Sequence, residues 1–196
     1  MTVELIKSHI PYAANTYKLT LSGRTLVVDP AAPRRECDDL PDFVLLTHAH
    51  FDHILYIDDW VGENTEVLIA SEERDRLSDP DYNCYRLFLG SEGGYFGRAR
   101  GLSDKESINV GSEFLRFMHT PGHTEGSGIY VFDNIAFVGD TVFAGGGFGR
   151  WDLPGGDVTK LRQSIGKICE LPDDMILYPG HGESTTVSDY KKYLKF

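Results

Sequence analysis

The sequence predicts an α/β fold in which strands come first, helices are interspersed, and the pattern then repeats. Two observations carry that expectation. Short continuous apolar runs such as Phe43-Val44-Leu45-Leu46 and Glu66-Val67-Leu68-Ile69-Ala70 have strand length and suit strands covered on both faces. Between and after them, apolar residues recur at helical spacing, as at Val158, Leu161, Ile165 and Ile168.

Taken in order, Tyr17, Leu19 and Leu21 alternate, Ser22-Gly23 turns the chain, and Leu26-Val27-Val28 continues as strand before Asp29-Pro30. Residues 31–42 are rich in proline, charge and small residues and read as loop. The strand at 43–46 runs directly into Thr47-His48-Ala49-His50-Phe51-Asp52-His53, and Ile54 to Trp60 suits a short helix. After the strand at 66–70, Ser71 followed by Glu72-Glu73 has the form of a helix start. From 78 to 106 the periodicity fades, through Gly93-Gly94-Tyr95-Phe96-Gly97. A loop of that length is a lid, a binding loop or unrecognised structure. Strands return at 113–119 and in a hairpin over 128–139 that turns at Asp133-Asn134. Asp157 is placed to cap the helix that follows. Met175 to Tyr178 is a last strand before Pro179-Gly180-His181-Gly182. With no linker, repeat or low-complexity tract, residues 1–196 are expected to form one domain.

Composition narrows the function. A net charge of −11 argues against nucleic-acid binding, which needs clustered Lys and Arg. The three cysteines, Cys37, Cys84 and Cys169, form no CxxC pair and read as reduced thiols. No apolar run approaches the ~20 residues of a membrane helix, and the start at Met1 lacks the basic and apolar regions of a secretory signal. The expectation is a cytoplasmic protein with a small-molecule substrate and neither nucleic acid nor membrane as partner.

The chemistry is concentrated in His48, His50, Asp52 and His53. Three imidazoles this close repel on protonation unless a metal holds them neutral. Imidazole mixed with carboxylate suits Zn²⁺, with Fe and Mn as alternatives. His123, Asp140 and His181 each follow a strand in the same way that His48 follows 43–46. Strands that set ligands on the loops after them place those ligands accurately. His9 and His119 lie outside ligand-rich turns and read as ordinary packed or exposed residues.

THAHFDH, TPGHTEGS, GDTVF and PGHG occur here in the order and spacing of the metallo-β-lactamase-fold hydrolases. GDTVFAGGGFGRWDLPGGD further resembles the glyoxalase II-like branch, the hydroxyacylglutathione hydrolases, and the likeness runs from about residue 15 to the C-terminus. The resemblance implies a four-layer αββα sandwich with a two-metal site at one edge. It implies that His48, His50 and His123 hold one divalent ion, that Asp52, His53 and His181 hold the other, and that Asp140 bridges them. It also implies that a hydroxide shared by the ions attacks a carbonyl, with Asp52 and Asp140 in the catalytic machinery. A thioester of glutathione or another thiol fits, since a thiolate leaves with little help from an acid. Two roles are open for Asp29: an acid that orients a ligand, or a strand-end turn carboxylate. Two are open for Arg150: binding a substrate carboxylate, or pairing with Asp152 to hold a Gly-rich loop.

Glyoxalase II continues into a helical domain that carries much of its glutathione surface, so the chain is expected to be a short form whose thiol is undetermined. Phe51 stands where a small or polar residue is usual, and the stretch 82–101, with Tyr82, Tyr85, Arg86, Tyr95, Arg98 and Arg100, is either a substitute contact surface or a solvated loop over a small helix. Rival readings are a persulfide dioxygenase of the same fold, with one Fe on His48, His123 and Asp140, a lactonase or phosphodiesterase, and a non-enzymic metal-binding module. The complete ligand set argues against the last.

Overall fold

The computed structural model describes residues 2–194. Six strands form a first sheet in sequential order: β1 (Val3–Ile6), β2 (Thr16–Leu21), β3 (Arg24–Val28), β4 (Phe43–Leu45), β5 (Glu66–Ala70) and β6 (Arg100–Leu102). β1 to β3 are antiparallel, whereas β3, β4, β5 and β6 run parallel. The second sheet has the order β12 (Thr185–Thr186), β11 (Ile176–Pro179), β10 (Ile135–Gly139), β9 (Gly128–Phe132), β8 (Glu113–His119) and β7 (Ser107–Val110). Its one parallel pair is β10 with β11.

Three apolar clusters stack through this arrangement. The central one joins the sheets, with Leu19, Leu26, Leu45 and Leu68 facing Leu115, Phe117, Tyr130 and Phe137. On the outer face of the first sheet, Val44, Leu46, Val67 and Ile69 pack on Ile54, Ile57 and Trp60, the last two from α1 (Ile57–Trp60). On the outer face of the second, Ala136, Val138 and Leu177 pack on α3 (Val158–Cys169) and α4 (Val187–Tyr193). The result is the expected αββα sandwich. Strands apolar on both faces read as continuous runs because each face meets a different layer.

Most elements fall where the sequence places them. The 128–139 hairpin turns at Asp133, and Asp157 caps α3 by accepting from the amides of Thr159 and Lys160. Two expectations change. No α-helix starts at Ser71; a turn leads into a short 3₁₀ segment at Arg74–Arg76, because the Glu73 carboxylate turns inward rather than capping a helix. The 78–106 segment contains α2 (Tyr85–Leu89) and ends in β6, which completes the first sheet. Among the described residues, no helix is long and apolar enough to cross a membrane.

The sheets are also joined by hydrogen bonds close to the His-rich loop. From β9, the fully buried Tyr130 hydroxyl lies 3.0 Å from the carbonyl oxygen of Leu46 and 3.1 Å from that of Leu68. At the end of β10, Gly139 has φ +49°, and a Cβ there would fall 2.4 Å from Thr47 Oγ1. The two sheets are therefore in close contact where β4 ends. Tyr130→Phe removes this tie while keeping the ring. It is expected to lower stability by about 1–2 kcal/mol, read as a lower urea midpoint at unchanged slope.

Candidate metal centre

The parallel runs explain why the ligand candidates converge. β3, β4, β10 and β11 deliver Asp29, His48, Asp140 and His181 respectively just beyond their C-terminal ends, and β8 delivers His123. In the His-rich loop, a 3₁₀ turn at Phe51–His53 separates His50 from His53.

His48 Nε2, His50 Nδ1 and His123 Nε2 form a triangle with sides of 3.1, 2.9 and 3.2 Å. Zn–N bonds of ~2.0–2.1 Å in a tetrahedron separate ligand atoms by about 3.3 Å, so the triangle is close to the size a metal requires. On the other side, His181 Nε2 lies 3.1 Å from Asp52 Oδ2, with His53 completing a second group of three. Asp140 lies between: Oδ1 is 3.3 Å from His53 Nε2, and Oδ2 is 3.7 Å from His123 and 3.6 Å from His181. Two of the inward atoms, His53 Nε2 and Asp140 Oδ1, are buried without a hydrogen-bond partner. Gly180 keeps the space open, since a Cβ there would sit 2.2 Å from Asp140 Oδ1. The donor set and the orphaned atoms both fit a pair of divalent ions.

Hydrogen bonds on the outer side set the ring tautomers. Asp29, at φ +49°, accepts the Thr47 amide on Oδ1 at 2.8 Å and the Thr47 hydroxyl on Oδ2 at 2.7 Å. The same Oδ2 accepts from His53 Nδ1 at 2.8 Å. The Thr47 hydroxyl, its proton committed to Asp29, accepts from His48 Nδ1 at 3.1 Å. His123 Nδ1 donates to the Arg150 carbonyl at 2.6 Å. In the neutral ring, each bond leaves the inward nitrogen with a free lone pair.

Electrostatics divides the site in two. Burial, reinforced by the neighbouring imidazoles, holds His48 well below the ordinary range and pushes His50 down to about 3. Burial lowers His123 too, against the pull of Asp140. These three are neutral and ready to ligate. Burial opposes charge on His53, but Asp29 and Asp140 outweigh it and raise its pKa. His181 is likewise raised against burial, by Asp52 and Asp140. Burial works against the Asp140 carboxylate as well, yet the nearby imidazoles hold it below the usual range.

All seven ligand candidates meet here, and Asp29 adjoins them through His53. Arg150 lines the same cavity, but its guanidinium forks onto Asp152 at 2.7 and 2.8 Å. His9 and His119 lie outside the donor groups.

Sequence reasoning missed two supports. Glu73 is fully buried, and its carboxylate accepts the amides of Ala49, between His48 and His50, and of Gly126, just after His123. It thereby joins the two loops that carry the triangle. Burial pushes its pKa up to about 7, against the stabilising bonds from Thr124 and the two amides. Asn15 Nδ2 donates to the carbonyls of Pro179 and Gly182 at 2.9 and 3.0 Å, bracing the turn that carries His181. Neither lies in a ligand-rich motif that would single it out.

Known proteins resemble the chain over most of its length. Residues 10–181 match the family model of the metallo-beta-lactamase superfamily. A probable metallo-hydrolase of Methanocaldococcus jannaschii is 33% identical over 189 residues, covering 88% of this chain and 89% of that protein. Among solved structures, BLEG-1, a B3 metallo-beta-lactamase, superposes with a TM-score of 0.86 at 32% identity, covering 97% of each chain. TTHA1623, solved in a di-iron-bound form, superposes with a TM-score of 0.81 at 25% identity, covering 97% of this chain and 98% of that one. The chain belongs to the metallo-beta-lactamase superfamily.

Removing the outer support tests the site without touching a candidate ligand. Asp29→Ala frees His53 Nδ1 and the Thr47 amide. It is expected to weaken divalent-ion binding about 10–100-fold, measured by chelator competition; unchanged affinity would leave Asp29 a turn residue only.

Proposed function

We propose that the chain is a two-metal hydrolase that cleaves the thioester of a small-molecule substrate. One observation carries this reading: two donor groups converge on Asp140 at the floor of a cavity of about 460 Å³. In this reading His48, His50 and His123 hold one ion, Asp52, His53 and His181 hold the second, and Asp140 faces both. Zn²⁺ suits these donors, and Fe or Mn is accepted by the same set. When bound, such ions supply a water acidified to a pKa of ~7 and a positive field for a carbonyl oxygen.

The surrounding residues then choose the substrate. Asp29 keeps the His53 proton on Nδ1 and the Arg150 carbonyl keeps that of His123 on Nδ1, so neither ring turns a proton toward the centre. The net reaction joins the water oxygen to the acyl carbon. The C–S bond breaks with its electron pair passing to sulfur, giving a carboxylate and a thiol with release of one proton. Beyond the seven ligand candidates, no carboxyl, imidazole or ammonium group lines the cavity among the described residues. Burial also pushes the Cys84 thiol up to about 11, so it is a poor proton donor. With only the Tyr12 phenol and the Cys84 thiol left as neutral acids on the described lining, a leaving group that departs unprotonated is favoured, and a thiolate does so more readily than an alkoxide or an amide anion.

Asp140→Ala is expected to lower thioester hydrolysis on the order of 10³-fold and to reduce the bound metal from two ions per chain, measured by elemental analysis. A fully active variant would remove Asp140 from its bridging role. One Fe per wild-type chain, with oxygen uptake on glutathione persulfide, would replace the hydrolase by the dioxygenase.

A further inference from the structure

We propose that the cavity above the metal centre is an acyl-chain subsite, selective for uncharged apolar acyl groups; as a statement about substrates this rests on the thioester reading. The residue that directs attention here is Phe51, inside the His-rich loop between His50 and Asp52. Its ring stacks on Phe88 with centroids 5.4 Å apart and planes at 23°, and lies 5.8 Å from the ring of Tyr12. Phe51 is 7% exposed, while Tyr12 is 48% and Phe88 49% exposed. The three rings thus form a continuous wall from the metal centre to solvent. Leu89, Phe143 and Leu153 line the same cavity.

Exposed aromatic and aliphatic side chains grouped around one opening mark a binding surface rather than incidental exposure. Their backbone is held for that purpose. α2, which carries Phe88 and Leu89, spans five residues between left-handed Cys84 (φ 68°) and Gly90 (φ 63°). A helix that short does not persist by its own hydrogen bonds. It is anchored through Phe51, whose ring stacks on Phe88 and whose amide donates to the Asn83 carbonyl at 2.8 Å.

Charge points the same way. Arg150 is the one Lys or Arg among the described residues lining the cavity, and Asp152 already pairs with its guanidinium through Nε and one terminal nitrogen. Beyond the metal centre itself, an anionic acyl tail would meet no unpaired Lys or Arg among the described residues of the lining. An alkyl or aryl group gains by leaving water against Phe51, Phe88 and Leu89.

The test is a series of S-acyl-N-acetylcysteamine thioesters, from acetyl to octanoyl, with the full chain loaded with Zn²⁺. In parallel, the matching non-hydrolysable thioethers are titrated by calorimetry. Both kcat/KM and affinity are expected to rise by up to about 4-fold per added methylene until the cavity is filled. Phe88→Ala is expected to shrink the octanoyl-to-acetyl ratio about 10-fold in both measurements. Phe114→Ala, at a residue 64% exposed on β8 and absent from the cavity lining, should leave that ratio unchanged. Hydrolysis with a flat or falling chain-length dependence would overturn the subsite and leave the thioester reading standing. A rising affinity for the thioethers with no thioester hydrolysed would keep the subsite and overturn the thioester reading. A flat response in both measurements would overturn the subsite.

Discussion

Five imidazoles and three carboxylates are brought together at one edge of two packed sheets, and a ring that is to ligate must turn a lone pair inward. Outer acceptors fix this for His48, His53 and His123, whereas the outward Nε2 of His50 is buried without a partner. If the outer nitrogens lacked acceptors, His48, His53 and His123 would each hold a buried N–H with no partner. The chain supplies those acceptors from three places: the Thr47 hydroxyl, the Asp29 carboxylate and the Arg150 carbonyl. Asp29 does the most, since it also binds the Thr47 amide and hydroxyl. Its left-handed backbone follows from that duty, because the chain must turn sharply at the end of β3 to aim the carboxylate back at β4.

The same constraint shapes the loops. Ligands on four separate segments hold a fixed geometry only if the segments are tied to one another as well as to their strands. Glu73 ties the His-rich loop to the loop of His123, Asn15 braces the turn of His181, and Tyr130 fixes the carbonyl of Leu46 just ahead of the first ligands. Glu73 accepts a large desolvation cost in doing so. Two backbone amides repay part of that cost, and without the carboxylate both would be buried and unsatisfied.

The parts legible in the sequence are those written in local signals. His48, His50, Asp52 and His53 stand out by density, the apolar runs mark buried strands, and Asp157 marks the start of α3. Glu73 was hidden because Ser71-Glu72-Glu73 has the local form of a helix start. What decides its orientation is a pair of amides 24 and 53 residues away. The small helix expected within 82–101 is α2, whose bounds carry no signal because five residues between two left-handed positions show no helical period, and a left-handed Cys84 has no sequence signature. β12 has two residues and α4 seven, too few for a period to show in the sequence after PGHG. Asp29 was left between two roles because its carboxylate is defined by Thr47 and His53, which only the parallel pairing of β3 with β4 brings beside it.

Phe51 shows how closely reactivity and selectivity are coupled in this architecture. The 3₁₀ turn that leads from His50 to His53 places two side chains on the cavity side of the loop, Phe51 and Asp52, and of these Phe51 is not a ligand candidate. A small residue there would leave the floor open and α2 without its stacking partner. With phenylalanine, the turn that sets the spacing of the ligands also sets the wall, and through the Asn83 carbonyl it positions the segment leading into α2. A change at this one position would therefore alter which groups reach the centre while leaving all seven ligand candidates in place. Divergence of substrates on a constant set of metal donors needs no more than that.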